Sequence, residues 1–93
     1  MKRFRVRWTR RALDDLADIR AFIAAGDPRV ARRIAQAILK AAERLSVMPH
    51  RGRPGRVAGT RELILLGWPW ILVYNTDGDH IHILAVRHSA REK

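Results

Sequence analysis

The residues best equipped for chemistry lie in and around a short arginine-rich stretch. Arg51, Arg53, Arg56 and Arg61 follow one another with no acidic residue among them. Guanidinium groups make paired hydrogen bonds to phosphates and carboxylates, so this run predicts a grip on an anion. A solvated loop is the plain alternative. Were the anion an RNA backbone, cleavage would have a 2′-oxygen attack the adjacent phosphate. That step needs a base for the 2′-proton, an acid for the 5′-oxygen and cations for the charge building on phosphorus. His88 is the candidate acid or base, Arg61 and Arg87 are candidate phosphate clamps, and Tyr74 is a weak helper. Each has a structural alternative. Arg61 could pair with a helix carboxylate such as Asp14, and His88 could bond a backbone carbonyl at a strand end. Tyr74 and Trp70 more often pack than react. His80 and His82 share one side of a strand, but no third ligand of suitable type lies nearby and Asp79 sits in a turn. That spacing predicts no metal site, and no cofactor is implied.

One small domain must position these groups. The 93 residues fit a single domain over residues 1–93. A chain of this length buries roughly 60–65% of its unfolded surface, so the core is thin. The hydrophobic fraction of 47% argues against disorder. Cysteine is absent, which removes disulfides and thiolate metal sites and fits a reducing cytoplasm. The basic start leads into no signal-like apolar run, and no stretch approaches the ~20 apolar residues of a membrane span. A soluble cytoplasmic protein is expected. Nineteen Lys and Arg against nine Asp and Glu give a formal charge of +10, and sixteen of the cations are Arg. Such a surface expects an anionic partner, either nucleic acid or an acidic protein.

The elements follow from periodicity. Residues 4–8 alternate apolar and basic side chains, as in a half-buried strand. Thr9 is placed to cap a helix over residues 10–25, whose stripe is Leu13, Leu16, Ile19 and Ile23. Gly26 is a natural C-cap, and Asp27-Pro28 starts a second helix reaching to about Met48, where Pro49 stops it. Helices joined this tightly form an antiparallel hairpin. Two prolines and three glycines between residues 49 and 59 predict a loop without regular structure. Residues 60–66, 70–74 and 81–87 then read as a meander of three strands with a turn at Asp77-Gly78. The fold class is α+β, in the order β-α-α-β-β-β, with an antiparallel twisted sheet packed against an N-terminal helical hairpin. The later strands are apolar on both parities, which predicts apolar surface on the sheet face away from the helices, covered either by the C-terminus or, as the preferred reading, by a partner.

An ordered set of motifs carries a family resemblance. Val6-Arg7-Trp8-Thr9 with Ala12 and Leu16, the loop Met48-Pro49-His50-Arg51-Gly52-Arg53, and the strand Thr60-Arg61-Glu62-Leu63 are three of them. Trp68-Pro69-Trp70-Ile71-Leu72-Val73-Tyr74 and the last strand Ile81 to His88, followed by Ala90-Arg91, complete it. In this order they resemble the RelE/ParE superfamily of type II toxin–antitoxin modules, nearest its ParE-like branch. The resemblance implies a growth-inhibiting toxin neutralised by direct binding of a co-encoded acidic antitoxin, ParD-like or similar. Antitoxin segments of that kind wrap the hairpin and sheet, which implicates Leu13, Leu16, Trp70 and Leu84 in antitoxin binding. It also implies target contacts by Arg51, Arg53, Arg56, Arg91 and Tyr74. ParE-like members act on DNA gyrase; RelE-like members are ribosome-dependent mRNA endoribonucleases, for which Arg61, Arg87 and His88 would be catalytic. The lysine-rich cluster and C-terminal Tyr of many such nucleases have no counterpart here, which favours the ParE-like expectation. A plain basic nucleic-acid-binding module is the remaining alternative, and it predicts steep salt dependence.

Overall fold

The computed structural model describes residues 3–91, with Arg91 described in its backbone alone. A strand β1 (Arg5–Trp8) leads into helices α1 (Arg10–Ala24) and α2 (Pro28–Arg44). Strands β2 (Arg53–Pro54), β3 (Arg61–Ile64), β4 (Trp70–Asp77) and β5 (His80–His88) follow, closed by one 3-10 turn (Ser89–Arg91). All five strands form one sheet in the order β1-β5-β4-β3-β2. The predicted elements are present, with two differences. A two-residue strand, β2, arises inside the expected loop, because Arg53 and Pro54 pair with Glu62 and Arg61. The sheet is also mixed: β1 runs parallel to β5, since the helical hairpin returns the chain to the side it left.

Local chemistry explains the helix ends. The Thr9 hydroxyl accepts the Ala12 N–H at 3.2 Å and donates to the Ile83 carbonyl at 2.8 Å, so one side chain caps α1 and ties it to β5. Asp27 caps α2 by accepting from the Arg29 and Val30 amides, with Pro28 at the first helical position. Gly26 is not the left-handed cap its type suggested; α1 ends on Ala25 in the right-handed region, and the Gly26 and Asp27 amides both reach the Ile23 carbonyl. α2 stops at Arg44, before the expected Met48. Its last turn tightens through Leu45 N–H to Ala42 O and Ser46 N–H to Glu43 O, which keeps a helical periodicity in the sequence after the helix ends.

The core lies between the hairpin and one sheet face. Ala12, Leu16 and Ile19 of α1 and Ile34, Ile38 and Ala42 of α2 meet Leu72, Tyr74, Ile81, Ile83 and Val86 of the sheet. A register irregularity between Val73 and Tyr74 interrupts the β4–β5 ladder. Nearby, Asp15 of α1 accepts the Val86 N–H at 2.9 Å, beyond the point where β1 has ended. A helix carboxylate there takes the bond a longer β1 would have taken. The helix-free face is not the open apolar surface expected from the strand pattern. Ile71, Val73 and Ala85 are each at most 8% exposed. In register with them stand Arg87 and Glu62, long side chains able to lie over apolar neighbours. Exposed apolar side chains near this sheet edge are Ile64 at the end of β3 and Leu66 just past it.

Candidate functional site

Glu62 of β3 is the electrostatic centre of the arginine-rich region. It is 3% exposed, yet it carries a charge. Burial alone would raise its pKa; the Arg56 backbone N–H and the Arg87 and Arg53 guanidinium groups outweigh that and hold it at about 2. The distances agree. Arg53 Nη2 lies 3.0 Å from Oε1, Arg87 Nη2 lies 3.1 Å from Oε2, and the Arg56 amide donates to Oε2 at 3.2 Å. β2, β3 and β5 thus converge on one carboxylate. Sequence reasoning passed over Glu62, although a lone acid within an arginine-rich stretch was a usable signal.

A second lock holds the start of the same loop. Tyr74 is fully buried, and its hydroxyl donates to the Pro49 carbonyl at 2.8 Å while accepting the Gly52 N–H at 2.9 Å. Burial raises its pKa, against the lowering effects of the Gly52 N–H and Arg61. Arg61 joins the lock from the same sheet face, donating Nη1 to the Gly52 carbonyl at 2.7 Å and to the His50 carbonyl at 3.4 Å. Gly52 fits because a Cβ there would come within 2.8 Å of the Tyr74 ring and hydroxyl and 3.0 Å of the Glu62 carbonyl. Two expectations are corrected here. Tyr74 does not face a target, because its ring fills the core. Arg61 does not pair with Asp14, which lies 3.4 Å from Arg10 on its own helix.

The remaining candidates are dispersed. His88 is half-buried against Trp70, edge to face with ring centroids 4.8 Å apart. Its Nδ1 accepts the Ala90 N–H at 3.1 Å instead of bonding a carbonyl, which leaves Nε2 as the protonated nitrogen of the neutral ring. Arg61 stands opposite Tyr74 and His88 opposite Trp70, on either side of β4 and four positions apart along it. Standard strand geometry puts their backbones about 16 Å apart. Arg87 is bound to Glu62 on the helix-free face. Arg61, Arg87 and His88 are therefore not brought to one phosphorus-sized centre. His80 Nδ1 lies 3.0 Å from Asp79 Oδ1, with the His82 ring centroid 6.2 Å away. The described residues contain no group of three His, Cys, Asp or Glu placed to hold a metal ion.

Of the other expected contacts, Leu13 is 47% exposed on α1. Trp70 and Leu84 are half-buried. Leu16 points into the core and is covered by the chain itself. Arg51 and Arg56 are exposed, and the side chain of Arg91 lies outside the described residues. A groove of about 440 Å³ opens between α2 and β3. Its floor is apolar, with Leu63, Leu65 and Trp68, and its rim carries Arg33, Lys40, Arg44 and Arg51 with no carboxylate. The spacing of Arg33, Lys40 and Arg44 along one helix was legible as a column of cations, and it was missed. No helix among the described residues is long and apolar enough to cross a membrane.

Known proteins match this arrangement. The sequence pattern of the ParE toxins of type II toxin–antitoxin systems, parDE, matches residues 6–93. Y4kP of Sinorhizobium fredii, named as a toxin, is 42% identical over 99% of this chain and 95% of its own. The toxin RelE2 of Caulobacter vibrioides is 39% identical over 90% of this chain and 93% of its own. Among solved structures, a chain of the chromosomal ParDE toxin–antitoxin system from P. aeruginosa superposes with a TM-score of 0.84 at 30% identity, covering 91% of this chain and 95% of that one. A chain of the toxin–antitoxin complex RelBE2 from Mycobacterium tuberculosis gives 0.72 at 31% identity, covering 95% and 93%.

Proposed function

The chain belongs to the ParE toxin family of type II toxin–antitoxin systems, and from that premise we propose that it arrests growth by ParE-like interference with DNA gyrase, without cutting RNA, until a co-encoded acidic antitoxin covers it. The dispersal of Arg61, Arg87 and His88 carries the non-nucleolytic part. General acid–base catalysis needs its groups within hydrogen-bond reach of one reacting centre, about 3 Å. Here Arg61 is engaged with two carbonyls and Arg87 with Glu62, and His88 stands at the far end of β4. The antitoxin part draws on the two toxin–antitoxin structures it resembles and on the charge of +10.

The alternative is a RelE-like, ribosome-dependent endoribonuclease, favoured by the likeness to RelE2 and RelBE2. Induction of the protein alone in a bacterial host separates the two, with wild type compared against His88→Ala. Cell elongation with DNA-damage signalling, unchanged in the variant, is the expected result. Rapid translation arrest with mRNA cut at codon boundaries, abolished in the variant, would overturn the gyrase reading. His88 is half-buried against Trp70, so circular dichroism of the purified variant accompanies the comparison and checks that it is folded.

A further inference from the structure

We propose that His80 and His82 of β5, joined by the Asn75 side-chain oxygen of β4, bind a divalent ion of the late first transition series, of the class Ni²⁺, Cu²⁺ and Zn²⁺. The site lies on the helix-free face of the sheet, at the end where β1 joins β5. It does not depend on the gyrase or antitoxin readings.

The strand period brings the two imidazoles together. Ile81 and Ile83 point into the core, so His80 and His82, which alternate with them, share the opposite face. Their ring centroids are 6.2 Å apart. An ion held at about 2.0–2.1 Å from one nitrogen of each ring sits about 3.2 Å from each centroid, so the centroids stand about 5 Å apart for a tetrahedral angle and about 6.4 Å for a linear one. The pair falls within that range before any side chain turns. His80 is also supported for the role. Its Nδ1 meets Asp79 Oδ1 at 3.0 Å, so in the neutral ring the proton sits on Nδ1 and the Nε2 lone pair is left to ligate.

The third donor is hidden by chain order. The spacing around the two histidines offers no third His, Cys, Asp or Glu, but the sheet register offers an amide oxygen. Asn75 of β4 pairs directly with His82, which places the two Cβ atoms about 4.5–5.5 Å apart on one face. Its Oδ1 is buried and has no hydrogen-bond partner among the described residues. Buried carbonyl oxygens are ordinarily satisfied, and a cation shared with the neighbouring imidazole satisfies this one.

Local charge admits a cation despite the net +10. Arg5 and Arg7 stand in register with His80 and His82 on β1. Asp77, opposite His80 on β4, and Asp79 beside it offset those two charges. Two imidazoles with one amide oxygen suit the later ions of the series, whereas Mg²⁺ and Ca²⁺ take oxygen ligands throughout. Cu²⁺ is expected to bind tightest, above Ni²⁺ and Zn²⁺. Once bound, the ion ties β4 to β5 near the turn that connects them.

Titration of the intact protein with Cu²⁺, followed by electron paramagnetic resonance, tests this. One bound equivalent with coupling from two imidazole nitrogens is expected, and Cu²⁺ should raise Tm by favouring the folded chain. His80→Gln and His82→Gln should each weaken binding at least tenfold, and Asn75→Ala severalfold. His50→Gln, which changes an exposed histidine outside the site, should leave affinity unchanged. Equal affinity in the double variant His80→Gln, His82→Gln, or coupling from a single nitrogen, overturns the proposal. Full-strength binding by Asn75→Ala removes the cross-strand donor and overturns the site as described. Circular dichroism checks each variant; should His82→Gln fail to fold, the wild-type spectrum and His80→Gln still decide.

Discussion

Replacing Tyr74 with Phe removes one oxygen from a buried site and leaves the packed ring in place. That oxygen holds two backbone groups of the arginine-rich loop, the Pro49 carbonyl at 2.8 Å and the Gly52 N–H at 2.9 Å. Losing the bond to the Pro49 carbonyl costs about 1 kcal/mol net, and stranding the buried Gly52 N–H costs about 1–2 kcal/mol. Gly52 is buried, so water cannot easily replace the hydroxyl. A loss of about 2–3 kcal/mol follows, which for a domain of this size lowers Tm by roughly 10–20 °C. Urea unfolding followed by circular dichroism measures it, through a lower midpoint at constant m-value. Hydrogen exchange at the Gly52 amide should accelerate by a larger factor than at core amides of β5. A loss below about 0.5 kcal/mol, or unchanged Gly52 protection, would refute the view that Tyr74 pins this loop.

Glu62 makes an acid-side prediction. Its pKa is held at about 2 in the folded protein, against an ordinary value of 4.5. The contribution is thus present above pH 4.5 and is lost as pH falls towards 2, on the order of 3 kcal/mol in all. Chemical denaturation across pH 2–6 should show this loss in wild type and a flatter profile in Glu62→Gln. Tyr74 predicts the alkaline side: a raised pKa means that stability falls as pH climbs past 10, and Tyr74→Phe should lose that dependence. Gly52→Ala should cost about 2 kcal/mol or more in urea unfolding, because its Cβ would meet the Tyr74 ring and the Glu62 carbonyl.

Much of this architecture could be read before the structure. The caps at Thr9 and Asp27 and the turn at Asp77-Gly78 announce themselves because their chemistry is local: one side chain satisfies a neighbouring amide, one glycine adopts a φ of +60°. Periodicity set the order of elements, and the family motifs agree with it because they sample every element in turn. What sequence could not show is which side chains meet across the sheet. Glu62 and Arg87 lie 25 positions apart in the chain, and only the register of β3, β4 and β5 brings them together. Tyr74 read as an available aromatic because periodicity does not reveal that the helical hairpin covers it. β2 escaped notice because two residues with a proline carry no period; their pairing is imposed from outside, by Glu62 and its neighbours.

The pairing of β1 with β5 has a consequence for how the protein comes into being. Arg5 to Trp8 find their register on His80 to Ile83, and the Thr9 hydroxyl closes on a carbonyl 74 positions further along. Loop-closure entropy for such distant contacts is compensated only once both ends exist, which slows folding and makes it cooperative. A growing polypeptide can form its helical hairpin early, but it cannot close the sheet until β5 has been synthesised. Termination before residue 80 would remove β5, which pairs with both β1 and β4 and supplies Ile81, Ile83 and Val86 to the core. β1 and β4, on either side, are thus joined by the last strand to be made, β5.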